Sequence, residues 1–269
     1  MDSLPTRPNT PVRTVGILMT YNCARLVSRA HTQIQREHFD AVICADDGSV
    51  DGTQEVAAGL GIPVFTHPHT GYGGNLFHGL RRAMDMGATQ MVELHGDGQY
   101  DFSAVPAALK ELSAGCDLVL GNRFYDMRQP LRDGMDFARY FGNIFLSAIG
   151  RIGLGIPSRD LFPGFRAYSR RFVESIDIAH TAQNYFFSFE IIAQARYIGL
   201  RLAQVPVRCD YKGEHHSMRL TKGIPVIAHT CKTVLHYRLA RSNFRYGIFS
   251  KLSPWPDAEK VRMMSASIR

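Results

Sequence analysis

Along the first half of the chain, short apolar blocks alternate with stretches whose apolar residues recur at helical spacing. The blocks are "RTVGILM" (13–19), "AVICA" (41–45), "IPVFT" (62–66), "QMVEL" (90–94) and "DLVLG" (117–121), each bounded by Gly, Pro, Asp or Asn. Their length and composition predict strands, while 24–36, 52–60, 74–86 and 103–114 predict helices. That order predicts an α/β fold, a mostly parallel sheet with helices on its faces. No internal repeat or low-complexity segment breaks it.

In such sheets ligands bind beyond the carboxyl ends of the strands. Polar chemistry collects at those ends: "TYN" (Thr20–Asn22), "DDGSVDGT" (Asp46–Thr53), "HGDGQYD" (His95–Asp101) and "NRF" (Asn122–Phe124). A turn with Ser49 or Asp51 as helix cap explains part of the second motif. It does not explain Asp46 beside Asp47, whose like charges repel unless they meet donors such as ribose hydroxyls or a base N–H. In "HTGYGGNLFHGLRRAMDMG" (69–87), three glycines precede a helix, either as an ordinary loop or as a place where backbone N–H groups approach a phosphate or sugar. No G-x-G-x-x-G follows the first strand and no G-x-x-x-x-G-K-[ST] occurs, which disfavours a dinucleotide dehydrogenase and a P-loop enzyme.

Taken in order, "VGILMTYN", "ICADDGSVDGTQEVA", "GYGGNLFHGLRRAMDMGA", "MVELHGDGQYD", "LVLGNRF", "RDLFPGFRAYSRRFVESI", "NYFFSFEIIAQARYIGLRLAQVPV" and "EHHSMR" resemble glycosyltransferase family 2. The resemblance covers roughly residues 13–219 and is strongest to the branch of dolichyl- or polyprenyl-phosphate mannosyl- and glucosyltransferases. It implies a GT-A fold, with a Rossmann-like sheet, and a nucleotide-sugar donor. On this resemblance Thr20, Tyr21 and Asn22 line the base and ribose, Asp47 bonds the nucleoside, and Gly73, Gly74 and Asn75 approach the donor. Asp97 takes the metal-binding acidic place, with Gln99 beside it and Mg²⁺ or Mn²⁺ as the ion. The sequence departs from the commonest form at His95, which stands where a first aspartate often does; an imidazole there suits Mn²⁺ better.

Arg123 is placed to assist the departing diphosphate, or serves as a structural ion pair. Asp160, before "GFRA", is the candidate base if the acceptor is a hydroxyl, and a structural partner otherwise. If the acceptor is a lipid phosphate, already an anion, then Arg123, Arg166, Lys212 or Arg219 would meet it instead. Glu190, in an aromatic-rich run, needs a partner in the core or in the substrate. The closing element keeps Lys212, Gly213 and Ser217 but is lengthened by His215 and His216.

Charge adds one feature. The chain of 269 residues has a net charge of +7, and no Asp or Glu occurs between His215 and Pro256. Arg219, Lys222, Lys232, Arg238, Arg241, Arg245 and Lys251 fall there among apolar residues. This predicts a basic, partly amphipathic extension (220–269) that either lies on an anionic membrane surface or packs on its own domain. No nucleic-acid-binding motif accompanies the charge. "FGNIFLSAIGRIGLGIP" (141–157) carries Arg151 and four glycines, which argues against a membrane span. The five cysteines form no C-x-x-C pair and suit reduced thiols in a cytoplasmic protein. Residues 1–12 read as a flexible arm and 13–219 as the catalytic domain.

The expected function is an inverting transfer of a hexose or N-acetylhexosamine from a GDP- or UDP-sugar to a polyprenyl phosphate at the cytoplasmic membrane face. The alternatives are a soluble transferase acting on a small-molecule or glycan hydroxyl, and a non-catalytic nucleotide-sugar-binding protein.

Overall fold

The computed structural model describes residues 13–213 and 223–252. The arm at 1–12, the residues Ser217 and Arg219, and the end of the extension therefore lie outside the described residues.

Seven strands form one sheet: β1 (Thr14–Thr20), β2 (Ala41–Asp46), β3 (Val64–Thr66), β4 (Gln90–His95), β5 (Leu118–Asn122), β6 (Arg166–Ser169) and β7 (Leu202–Pro206), in the order β3-β2-β1-β4-β6-β5-β7. All neighbours pair in parallel except β6, which runs antiparallel to both β4 and β5. The helices are α1 (Ala24–Thr32), α2 (Thr53–Gly59), α3 (Tyr72–Asp85), α4 (Val105–Ser113), α5 (Gln129–Arg132), α6 (Phe137–Leu154), α7 (Arg170–Ser175), α8 (Phe187–Tyr197) and α9 (Gly223–Arg241). All five expected strands and four expected helices are present. β3 is shorter than expected, beginning after Pro63, and α3 begins early, so Gly73 and Gly74 lie in its first turn.

Side chains alternate across the sheet with period two. Val15, Ile17 and Met19 of β1, Ile43 of β2 and Leu118 and Leu120 of β5 enter one core, shared with α3, α8 and α9. Leu18, Val42, Cys44, Val92 and Val119 enter the other, under α1, α2 and α4. Buried layers on both faces account for the near-continuous apolar runs in the sequence.

The described part of the basic extension packs on its own domain. α9 lies against α6 and α8, and Tyr237, Ala240, Phe249 and Leu252 join the first core. α6 and α9 approach closely because Gly153 has no side chain: a Cβ there would lie 2.5 Å from Val234 Cγ1. α6 then ends at Gly155, whose φ of 65° is the left-handed conformation of a helix C-terminus. Among the described residues, no helix is long and apolar enough to cross a membrane.

Gly153→Ala is expected to destabilise the protein by about 1–3 kcal/mol through overpacking. Urea denaturation checks this, and an unchanged midpoint would show that α6 and α9 are not in such close contact.

Candidate active site

A cleft of about 1130 Å³ opens at the carboxyl ends of β1, β4 and β5 and is closed on the far side by α6, the segment before α8, and α9. Its walls follow from where the strands stop.

At the ends of β1 and β2 the two adjacent aspartates are separated rather than opposed. Asp46 is fully buried and accepts from Thr20 Oγ1 (3.0 Å), Ser49 N (2.9 Å) and Gln54 Nε2 (3.0 Å). Asp47 accepts from Thr70 N on Oδ1 (2.8 Å) and from Gly71 N on Oδ2 (3.0 Å), and His69 Nδ1 lies 2.8 Å from the same Oδ2. The donors that the pair demanded are thus supplied by the chain itself. Tyr21 stacks on His69 at 4.4 Å between ring centroids, and both rings line the cleft with Thr20 and Asp47. Asn22, at a φ of 46°, is tied to the motif loop: its N–H donates to Ser49 Oγ and its Oδ1 accepts from Val50 N, both 2.9 Å.

The glycines of α3 have a different task from the one the sequence suggested. The N–H groups of Gly73 and Gly74 donate to Gln183 O at 2.7 and 3.2 Å. A Cβ on Gly73 would sit 2.7 Å from Ala182 O, and one on Gly74 2.3 Å from Thr70 Oγ1. Gly73 lets the 182–187 segment lie on the helix, Gly74 leaves room for the Thr70 side chain, and neither lines the cleft. Asn75 does line it, while its Nδ2 donates to Thr20 O (3.2 Å) and Ala45 O (3.0 Å) and its Oδ1 meets His67 Nε2 (3.0 Å).

β4 ends in the floor of the cleft. Gly96 N donates to Met19 O (2.8 Å), holding Asp97 against the end of β1, and Asp97 Oδ1 accepts from Gln99 N (3.0 Å). Asp97, Gln99 and His95 all line the cleft. His95 Nε2 lies between two acceptors, Gly164 O (2.9 Å) and Glu93 Oε1 (3.1 Å), so it carries a proton and only Nδ1 remains for a cation. Burial opposes the imidazolium, but the bond to Glu93 and that carboxylate's charge outweigh it, and the ring titrates above the ordinary histidine range. Among the described residues, no three His, Cys, Asp or Glu side chains converge on a metal site. The donor set is one carboxylate and one amide, which fits a hard divalent ion that keeps waters and takes further oxygens from a diphosphate.

Beneath the floor lies a polar group that sequence reasoning missed. Glu93 is fully buried; its Oε2 accepts from Tyr168 OH (2.7 Å), and Tyr72 OH bonds its Oε1. Arg166 is its cationic partner, with Nη1 3.7 Å from Glu93 Oε2 and 2.9 Å from Tyr72 OH. Arg166 is only 1% exposed and does not line the cleft, so the acceptor role considered for it gives way to a structural one. The missed signal was a glutamate inside an apolar run, "QMVELH".

At the end of β5, the two candidate catalytic residues bind each other. Arg123 donates from Nε to Asp160 Oδ2 (2.7 Å) and from Nη2 to Oδ1 (2.9 Å), and reaches Tyr211 OH (2.9 Å) and Asn143 Oδ1 (3.0 Å). Arg123 lines the cleft, whereas Asp160 is fully buried, its oxygens also accepting from Arg123 N and Phe162 N. A base must reach the proton it takes; in this arrangement Asp160 orients Arg123 instead.

The far wall mixes aromatic, aliphatic and basic groups: Arg139 and Leu146 of α6, Phe186 and Phe189, and Val226 and His229 of α9. Glu190 finds its partner here. Its Oε1 is 2.8 Å from His229 Nε2 and its Oε2 accepts from Ala182 N, while Phe186 stacks on the imidazole at 4.1 Å. Lys212 is exposed, packs against Gly134 and does not line the cleft. Arg139 and His229 carried no sequence motif, because each belongs to a helix that contributes only part of its circumference to the site.

The model of the family described as "Glycosyl transferase family 2" matches residues 17–177. The polyprenol monophosphomannose synthase of Mycolicibacterium smegmatis is 28% identical over 207 residues, 72% of this chain and 76% of that one. Glycosyltransferase AglJ of Haloferax volcanii is 28% identical over 199 residues, 73% of this chain; the match spans 63% of AglJ, less than two thirds of its length. In architecture the chain is similar to glucosyl-3-phosphoglycerate synthase from Mycobacterium tuberculosis, solved with Mn²⁺, UDP and glucosyl-3-phosphoglycerate. The TM-score is 0.61 at 18% identity, covering 91% of this chain and 88% of that one. The α/β architecture, with its mostly parallel sheet, is the GT-A fold.

Asp160→Asn is expected to cost about 3–5 kcal/mol of stability, because it leaves the buried Arg123 cation uncompensated. Replacing both, as Arg123→Met with Asp160→Leu, should recover part of that loss in urea denaturation. Wild-type stability in Asp160→Asn with turnover abolished would instead make the carboxylate catalytic.

Proposed function

The chain belongs to glycosyl transferase family 2, and from that membership we propose that it transfers a hexose or N-acetylhexosamine from a GDP- or UDP-sugar to a polyprenyl phosphate, with inversion. The observation that supports the acceptor class is the shortage of an uncommitted carboxylate to serve as base. Among the described residues the only carboxylates lining the cleft are Asp47 and Asp97. Asp47 already takes N–H donors on both oxygens, Asp97 sits at the diphosphate floor, and Asp160 is bound to Arg123. A hydroxyl acceptor needs a base; a phosphate monoester is already an anion at neutral pH and does not.

The nucleoside lies against Tyr21, Asn22 and Asp47 beside Thr20 and Asn75, and the diphosphate meets Asp97, Gln99 and the Arg123 guanidinium. Asp97 and Gln99 would hold Mg²⁺ or Mn²⁺, which would supply Lewis-acid neutralisation of the leaving diphosphate. Arg123 adds a fixed positive charge that needs no reorganisation during the reaction, since Asp160, Asn143 and Tyr211 already hold it. An acceptor phosphate oxygen attacks the anomeric carbon from the side opposite the diphosphate. The new carbon–oxygen bond forms as the old one breaks, the electron pair leaves with the nucleoside diphosphate, and no proton is transferred. Arg139 and the Glu190-held His229 face the acceptor phosphate, and Leu146, Phe186, Phe189 and Val226 accommodate its isoprenoid portion. An acceptor of this kind is membrane-borne, so the chain works peripherally at a membrane surface, the cytoplasmic face.

Titration with GDP-mannose, UDP-glucose and UDP-N-acetylglucosamine, with and without Mn²⁺, followed by transfer assays on a polyprenyl phosphate and the corresponding alcohol, tests the reading. One donor is expected to bind in a metal-dependent way and to react with the phosphate alone. Chelation of the metal, or Asp97→Asn, should lower kcat/KM by about 10²-fold or more. Transfer to the alcohol would favour the hydroxyl-acceptor alternative, and absence of any donor binding would favour a non-catalytic protein.

A further inference from the structure

α6 and α9 each show an apolar stripe to the outside. On α6, Phe137, Phe141, Phe145 and Ile152 are between 54% and 71% exposed. Their spacing places them within an arc of about 80° of the helix circumference. On α9, Ile224 and Leu235 are exposed, with exposed Ala228 and Cys231 between them on an arc of about 60°. The helices touch near their C-terminal ends, where Gly153 meets Val234 and Arg238 donates to Ile152 O (3.0 Å) and Gly153 O (2.8 Å). Single exposed apolar residues need no explanation, but three phenylalanines in line on one helix do.

Both stripes begin at the mouth of the cleft. On α6 the lining residues Ala138, Arg139 and Gly142 are chain neighbours of Phe137 and Phe141; on α9 the lining residues Gly223 and Val226 flank Ile224. The charge on the two helices has one sign. α6 carries Arg139 and Arg151, α9 carries Lys232, Arg238 and Arg241, and neither contains an Asp or Glu. Asp136, which caps α6, is 3.3 Å from Arg139, and Glu190 of the adjoining α8 is buried against His229.

We infer that the paired outer faces of α6 and α9 dock on a bilayer with anionic headgroups, with the aromatic stripe entering the interface and the cleft mouth held at headgroup level. An apolar stripe edged by Lys and Arg, on helices not suited to span, is the pattern of an element that lies in the membrane interface. A second copy of the chain is a poorer occupant: a two-fold contact through this face would bring Arg and Lys of one copy against those of the other, with no carboxylate on either helix pair to oppose them. The inference rests on the lipid-phosphate reading for its purpose, since a surface that seats the cleft at the headgroups matters to an acceptor anchored there.

The test is flotation or sedimentation with phosphatidylcholine vesicles, with and without phosphatidylglycerol, using wild-type protein, Phe141→Ser with Phe145→Ser, and Ile224→Ser with Leu235→Ser. Wild type is expected to bind the anionic vesicles in a salt-sensitive way. Each double variant should lose about ten-fold or more in partitioning while keeping its urea midpoint, donor affinity and transfer to a short, water-soluble prenyl phosphate. Independently of any variant, anionic vesicles should slow amide hydrogen exchange across 137–152 and 224–241 in wild-type protein. Absence of vesicle binding, or binding unchanged in both variants and without exchange protection there, overturns the docking face. A dimer dispersed by the same substitutions also overturns it, in favour of a second copy. Vesicle binding that depends on the stripes, without transfer to any prenyl phosphate, would uphold the face and sink the acceptor reading alone.

Discussion

The carboxylate of Glu93, fully buried in the middle of the sheet, sets the terms for the structure around it. A charge taken out of water costs several kcal/mol unless a partner meets it with good geometry. Its partner comes from the neighbouring strand: Glu93 and Arg166 are opposed in the antiparallel register of β4 and β6. A slip of one residue would move Arg166 into the opposite core and leave both charges alone. Tyr72 from α3, Tyr168 from β6 and His95, the last residue of β4, complete the carboxylate's bonds. One buried charge therefore fixes the register of the reversed strand, the first turn of α3 and the orientation of the imidazole two residues before Asp97.

The same principle acts a second time at the end of β5. Arg123 reaches the cleft only because fully buried Asp160 takes two of its nitrogens and holds its plane. A lone guanidinium at that depth would be costly, and a flexible one would lose entropy on meeting a diphosphate. The pair removes both difficulties in the folded protein before any substrate arrives. It also leaves Asp160 buried behind Arg123 rather than at the surface of the cleft.

What could be read from the sequence follows the range of the interactions involved. The first five strands and the helices between them are visible because burial on both faces writes continuous apolar runs, and helical spacing needs only local order. Strand-end chemistry is visible for the same reason: Asp97 and Gln99 stand immediately after a run. Strand β6 is four residues long, begins with an arginine and owes its place to a glutamate more than 70 positions earlier, so no local pattern announces it. Gly73 and Gly74 mark a real close approach, but a glycine states only that a neighbour is near. Here that neighbour is Ala182 O and Phe187 for Gly73 and the Thr70 side chain for Gly74, rather than a ligand. Glu190 declared its need for a partner, and His229 was silent until the chain had folded α9 across α8.

The periodicity of α9 was hard to read for a physical reason that also explains its importance. A helix with core on one side and water on the other carries a single apolar stripe. α9 meets three environments: Tyr237 and Ala240 enter the core, Val226 and His229 line the cleft, and Ile224 and Leu235 face outward. Apolar residues therefore occur around most of its circumference, and the pattern blurs. α6 divides its surface in the same manner, with Leu154 in the core, Arg139 and Leu146 at the cleft and its phenylalanines outside. Two helices that share core, cleft and outer face connect those three regions rigidly. The outer face and the far wall of the cleft are thus opposite sides of the same two helices, within one helix diameter of each other and with no intervening loop.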